Sequence, residues 1–175
     1  VRLSADIGYQ YEYLGGGIGY ANILAGVPIP GVPKATNSYL QPWGFAESKD
    51  LFGMGRLEFD VTERITVYAA VGAHDNRWLS LWPGDPNVNN VNGNSTQNAQ
   101  FNGSFMTAIT GEVGVRALVD TGPINHELAL SASTLSRTNG FASVAGPAYA
   151  SNIYNPNVIA RPNLAMPVAN KTGLS

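Results

Sequence analysis

Alternation with a period of two is the feature that most limits what this chain can become. From Leu3 to Tyr13, the side chains Leu3, Ala5, Ile7, Tyr9, Tyr11 and Tyr13 alternate with Ser4, Asp6, Gly8, Gln10 and Glu12. Successive side chains of a strand point to opposite faces, so this spacing makes one apolar and one polar face. A helix would instead bring together residues three and four apart, mixing Asp6 with Tyr9 and Gln10. The same period predicts strands over 50–60, 65–76, 106–119 and 126–137. Leu57 and Phe59 share a face, as do Ile65, Val67, Ala69 and Val71, then Val113, Val115, Ala117 and Val119, and finally Leu128, Leu130 and Ala132.

The connections alternate in length. Val61 to Arg64 and the stretch "DTGPIN" are short turns, whereas 15–48, 77–104 and 138–175 read as long loops rich in Gly, Pro or Asn. Antiparallel strands joined this way carry all short turns at one end and all long loops at the other. Compact soluble domains use connections of about 4–6 residues, while outer-membrane barrels pair short periplasmic turns with long extracellular loops. On the first strand the apolar face changes from Leu3, Ala5 and Ile7 to Tyr9, Tyr11 and Tyr13 as it nears its long loop, the place of an aromatic girdle. Gly53, Gly55, Ala69, Gly111 and Ala117 on the same faces would pack poorly as a sandwich core but suit fluid acyl chains. The expected fold is all-β: an antiparallel transmembrane β-barrel wall segment of about five strands within one partial barrel domain. A soluble β-rich binding protein is the competing reading, and it predicts that the polypeptide folds in buffer without detergent.

Composition removes several functions. The 175 residues contain no cysteine, so there is neither a disulfide framework nor a thiolate site or nucleophile. Charged residues make up 13% with a net charge of −2, which gives no nucleic-acid footprint. No apolar run reaches the ~18 residues of a membrane helix, which leaves barrels untouched. The opening "VRLSADIGYQ" lacks the basic start and apolar core of a secretory signal, which an exported chain is expected to carry upstream. His74 and His126 are the only histidines and no carboxylate cluster completes a metal shell around either. "LGGGIGYA" has the glycine count of a phosphate loop without its Lys-Ser/Thr. No "GxSxG" setting or distinguished carboxylate pair supports catalysis.

The strings "FGMGRLEFDVTERITVYAAVGAHDNR", "GEVGVRALVDTGPINHELALSAS" and "SNIYNPN" together resemble the barrel of TonB-dependent siderophore receptors, over roughly residues 38–162. No single motif is specific; their order and spacing are. The resemblance implies a plugged barrel of ~22 strands. Five strands cannot close that circumference, so the chain is expected to be a piece of its wall, with the plug and the TonB-engaging segment outside it. It also implies ferric siderophore uptake across the bacterial outer membrane, energised through the TonB complex, with no enzymatic step. The partners would be a ferric siderophore and outer-membrane lipid, and no cofactor would be needed. A porin or adhesin-like barrel is the alternative within the same fold.

Binding residues are chosen by parity. The polar face is expected to line the lumen, and near the long loops it carries Phe52, Met54, His74, Trp78, Met106, Leu135 and Arg137. Large apolar groups on a wet wall need a reason: a ligand pocket, or packing against a plug. Phe52, Trp78 and Arg137 are the strand candidates for ligand binding, because iron chelates are rigid, ring-bearing and often anionic. Trp43 and Tyr149 are the loop candidates, and Tyr39, Trp82 and Tyr154 are further loop aromatics; interfacial anchoring or self-packing explains all five equally well. Arg56, Glu58, Glu112, Arg116 and Glu127, near the short turns, read as a charge ladder that hydrates the wall.

Overall fold

A computed structural model describes residues 1–16, 19–170 and 172–173. Its elements are β1 (Arg2–Gly15), β2 (Asn22–Ile23), β3 (Phe45–Thr62), β4 (Ile65–Trp82), β5 (Asn87–Val88), β6 (Asn94–Thr121), β7 (Ile124–Asn152) and β8 (Thr172–Gly173). The long strands pair antiparallel in the order β1-β3-β4-β6-β7. At the loop end β5 pairs with β6, β2 pairs parallel with β5, and β8 pairs with β7 at Asn139 and Thr138.

The two short turns follow from local chemistry. Between Thr62 and Ile65 the hydroxyl of Thr62 accepts the Arg64 amide at 3.1 Å. Between Thr121 and Ile124 the chain turns through Gly122, at φ 62°, and Pro123. A glycine at the first central position of a two-residue hairpin loop matches the twist of the flanking strands.

Register places every outward side chain on one surface. Leu3 lies opposite Leu57, Leu57 opposite Ala69, Ala69 opposite Val113 and Val113 opposite Ala132. These residues stay uncovered: Ile7 is 80% exposed, Val113 59% and Leu130 73%. Among the described residues no second sheet packs on them.

The upper limit of this apolar surface is slanted. It falls from Leu51 on β3 to Ala73 on β4, Ile109 on β6 and Ala132 on β7, where Thr134, Ser136 and Thr138 continue outward. Leu51 stands in the transverse row of Asp75, Thr107 and Thr138, so Ala132 lies three outward positions below that row. Three such positions are about 20 Å along a strand, against about 14 Å across three strand spacings. A flat bilayer edge crossing strands tilted by about 45° produces a slant of this order. Charged groups stand just above the line on the same surface, with Lys49 paired to Glu47 and Arg77 to Asp75.

Four strands run well beyond what alternation predicts. β3 begins at Phe45, β4 continues to Trp82, β6 begins at Asn94 and β7 extends to Asn152, so 45–48, 77–82, 94–104 and 138–152 are strand where loop was expected. These extensions stand above the apolar band, where nothing demands an apolar outer face. Pro147 also reads as a strand breaker, but it sits where the β6–β7 register slips between Asn98 and Gln100, and a bulge tolerates a missing amide.

The buried core lies in this upper part. Leu40, Leu81, Val88, Ala99, Phe101 and Ile153 are buried, together with Gln41 and Gln97. Gln97 donates to the carbonyls of Tyr39 and Gly84 at 3.0 and 2.9 Å, and Gln41 donates to Asn157 and accepts from the Ile159 amide. A cap of loop segments is thus fastened to the strand extensions.

Candidate functional site

The inner face carries two zones. Near the short turns, Glu58 accepts from Arg2 at 3.0 Å, Arg56 at 2.9 Å and Arg116 at 2.6 Å. The guanidinium groups of Arg56 and Arg116 stand 4.3 and 5.7 Å from the centre of the Tyr68 ring, whose hydroxyl donates to Glu112. Glycine makes this flat placement possible: a Cβ on Gly114, directly opposite Tyr68, would meet the ring at 2.4 Å. Each cation here has a carboxylate or a ring, so the zone is internally compensated.

Nearer the loops the wall becomes mixed aromatic and polar. One transverse row reads Gly8, Phe52, His74, Ala108, Arg137 across β1, β3, β4, β6 and β7. Phe52 lies flat over Gly8, where a Cβ would come within 2.3 Å of its ring. His74 is held through Nε2 by Asp50 at 2.7 Å, and Asp50 also accepts from Asn76 at 2.9 Å, whose amide reaches Ser48 at 3.0 Å. Arg137 is exposed, and among the described residues it has neither a carboxylate nor a ring beside it. Each of the other arginines has one: Arg2, Arg56 and Arg116 share Glu58, Arg64 pairs with Asp120, Arg77 with Asp75, and Arg161 stands over Phe45.

Register puts Phe52 and Arg137 in one row, with Trp78 two inner positions nearer the loops, opposite Ser48 and Ser104. Trp43 and Tyr149 are not brought to that face. The Trp43 indole donates to the Ile159 carbonyl at 3.0 Å, and the Tyr149 hydroxyl donates to the Pro83 carbonyl at 2.9 Å. Burial raises the pKa of the Tyr149 phenol, against a smaller opposing effect of a hydrogen bond with Gln41. Both side chains therefore bind the cap together. Phe141, 62% exposed on the inner face in the row of Trp78, was missed; carrying the parity of β7 past Thr138 would have found it. Among the described residues no group of three His, Asp or Glu side chains forms a metal centre.

An exposed apolar band on one surface, charged and aromatic groups on the other, and a slanted edge between lipid and water define the wall of an outer-membrane β-barrel. The chain is homologous to a segment of TonB-dependent siderophore receptors. It is 34% identical over 165 residues to the ferrichrome receptor FcuA of Yersinia enterocolitica, which covers 94% of this chain and 22% of that receptor. The crystal structure of BauA, the ferric preacinetobactin receptor of Acinetobacter baumannii, superposes with a TM-score of 0.82 at 22% identity, over 96% of this chain and 26% of that one. The chain thus spans about a quarter of the length of the proteins it matches. No protein-family model matches it. Its homologues are bacterial outer-membrane receptors.

Proposed function

We propose that this chain forms part of the barrel wall of a receptor that takes up a ferric siderophore across the outer membrane, energised through TonB. The observation that carries this reading is the coincidence of two properties over one stretch: homology to a ferrichrome receptor along 94% of the chain, and a sheet whose outer surface is apolar while its inner surface gathers aromatic and cationic groups below the loops. Phe52, Trp78 and Arg137 contact the chelate from the wall. Trp43 and Tyr149 act one step removed, by holding the cap through which it enters. Nothing in this scheme requires a bond to be made or broken by the protein.

The test is uptake of radioactive iron by cells that make the intact receptor, with a panel of ferric siderophores. Saturable accumulation that stops when TonB is removed is the expected result. Passive entry of small solutes regardless of TonB would mark a porin instead.

A further inference from the structure

We infer that Asn92–Gly93 is a site of spontaneous deamidation, gated by opening of the cap, and that the isoaspartate formed there unfastens the cap from the strands. The chain holds three Asn–Gly pairs, at 92–93, 102–103 and 139–140. In such a pair the amide nitrogen of the glycine attacks the asparagine carboxamide, and a glycine leaves that approach open because it has no Cβ. Asn102 and Asn139 lie inside β6 and β7, where Gly103 pairs with Leu79 and Ala142, and Gly140 with Phe105. Closing a ring there means breaking the ladder first. The Asn102 carboxamide is also held, since its oxygen accepts the Ser143 hydroxyl at 2.6 Å.

Asn92 stands instead in the turn between β5 and β6, with its side chain exposed. Among the described residues nothing holds its carboxamide; its contacts run through its main-chain amide and carbonyl. Gly93 is buried at φ 79°, and its amide donates to the Asn90 carbonyl at 3.0 Å. The Asn90 carboxamide oxygen closes the turn further by accepting the amides of Asn92 and Asn94 at 3.0 and 3.2 Å. The attacking nitrogen is thus engaged while the turn is closed, and the reaction waits for local opening. Once open, the Gly93 nitrogen gives its proton to hydroxide and bonds to the Asn92 Cγ, the bond from Cγ to Nδ2 breaks, and ammonia leaves. Water then opens the succinimide. The sum is one water consumed and one ammonia released. Attack at the side-chain carbonyl gives aspartate, and attack at the main-chain carbonyl gives isoaspartate.

The two products differ in what they do to the cap. Asn152 donates to the Asn92 carbonyl and to Asn94 Oδ1 at 2.9 and 2.8 Å, and the Ile153 amide donates to the Gly93 carbonyl at 3.0 Å. A Cβ on Gly93 would meet the Tyr154 ring at 2.6 Å, so this ring packs on the bare glycine. Tyr154 in turn donates to the Gly31 carbonyl at 2.7 Å and accepts from Asn37 at 2.9 Å. The turn therefore fastens 152–154, and through Tyr154 the segment 31–37. Aspartate leaves this main chain as it is and puts its charge in solvent. Isoaspartate inserts a methylene before Gly93, which carries the glycine off both Ile153 and the ring.

The experiment ages the intact barrel in detergent at mildly alkaline pH and follows each Asn–Gly pair by peptide mapping with a fragmentation that separates isoaspartate from aspartate. Conversion should accumulate at Asn92 and not at Asn102 or Asn139. Asn90→Ala, which removes the oxygen shared by two amides of the turn, should speed it about fivefold or more, with heat-modifiable mobility confirming a folded barrel. Limited proteolysis should cut the cap faster in step with the isoaspartate fraction, whereas freshly prepared Asn92→Asp should be cut like fresh wild type. No conversion at Asn92 by the time the unfolded chain has converted, equal conversion at all three pairs, or an unchanged rate in folded Asn90→Ala overturns the gated site. Equal cutting of Asn92→Asp and of the isoaspartate form overturns the unfastening.

Discussion

Leu130, on the spanning part of β7, leaves 73% of its surface uncovered, whereas Leu81, at the top of β4, leaves 1%. The two leucines belong to one continuous sheet and to its same outward surface. What differs is the solvent. In the spanning part the outer face meets acyl chains, which need no protein partner, and stability comes from ladders of backbone hydrogen bonds that lipid makes obligatory. Above the slanted edge water replaces lipid, and the sheet has to bury side chains to hold its loops. Leu81, Phe101 and Val88 therefore collect under folded-back segments, and Gln41 and Gln97 satisfy the backbone carbonyls those segments bring with them. One sheet obeys two rules of burial.

The sharpest break between them is a charge placed on each face of the spanning part. Val113→Arg puts a guanidinium outward in the band and should cost about 2–4 kcal/mol near the bilayer midplane. Thr110→Arg, three residues away on the inner face, should assemble nearly as well as wild type. Folding of the intact barrel into vesicles, read by heat-modifiable mobility, decides; equal assembly of both variants would refute the facing. Leu81→Ala reports on the other rule. It should loosen the cap by about 2–3 kcal/mol, because it opens a cavity in a closed core, and yet leave membrane assembly unchanged. Limited proteolysis should cut the cap faster in this variant while the spanning strands stay protected.

A smaller effect is expected where aromatic rings lie on glycine. Phe52 on Gly8 and Tyr68 on Gly114 face each other directly across neighbouring strands. Gly114→Ala forces the Tyr68 ring away from Arg56 and Arg116, which overpacking and lost cation–π contact put at about 1–2 kcal/mol. Urea midpoints of the intact barrel in vesicles measure it. An unchanged midpoint would mean that the ring has another place to go.

Sequence legibility divides along the same line. Wherever lipid lies on one side, period two is enforced, and parity alone assigned Phe52, His74, Trp78 and Arg137 to the face on which the register puts them. Above the band the signal ends while the strand does not. The extension of β7 through "NGFASVAGPAYASN" has Gly, Ser and a bulge proline, and reads as loop because neither face is uniformly apolar. Trp43 and Tyr149 show the matching limit for function. An aromatic in a loop looks available for ligand, but the partners that occupy it, Ile159 and Pro83, are 116 and 66 residues away in the chain. Only long-range register supplies them.

Acid provides the finest separation of cap from wall. Asp85 lies in the cap, with one carboxylate oxygen buried and unpartnered, and loss of solvent raises its pKa more than the hydrogen bond from the Tyr20 amide lowers it. A carboxyl group whose folded pKa exceeds the unfolded 3.8 penalises the folded cap while it is ionised. At neutral pH that penalty is fully present. As pH falls through the folded pKa toward 3.8 the folded form takes up its proton first, so the cap should tighten in this window and gain nothing further below it. Asp85→Asn keeps the shape without the charge, so it should make the cap tighter at neutral pH and abolish the tightening on acidification. Hydrogen exchange of the amides in 19–24 and 95–97, corrected for intrinsic rates, reads the cap, and the amides of 109–117 on β6 serve as the wall's internal control. A cap that loosens with acid in the wild type would show that ionised Asp85 has a partner that offsets its burial.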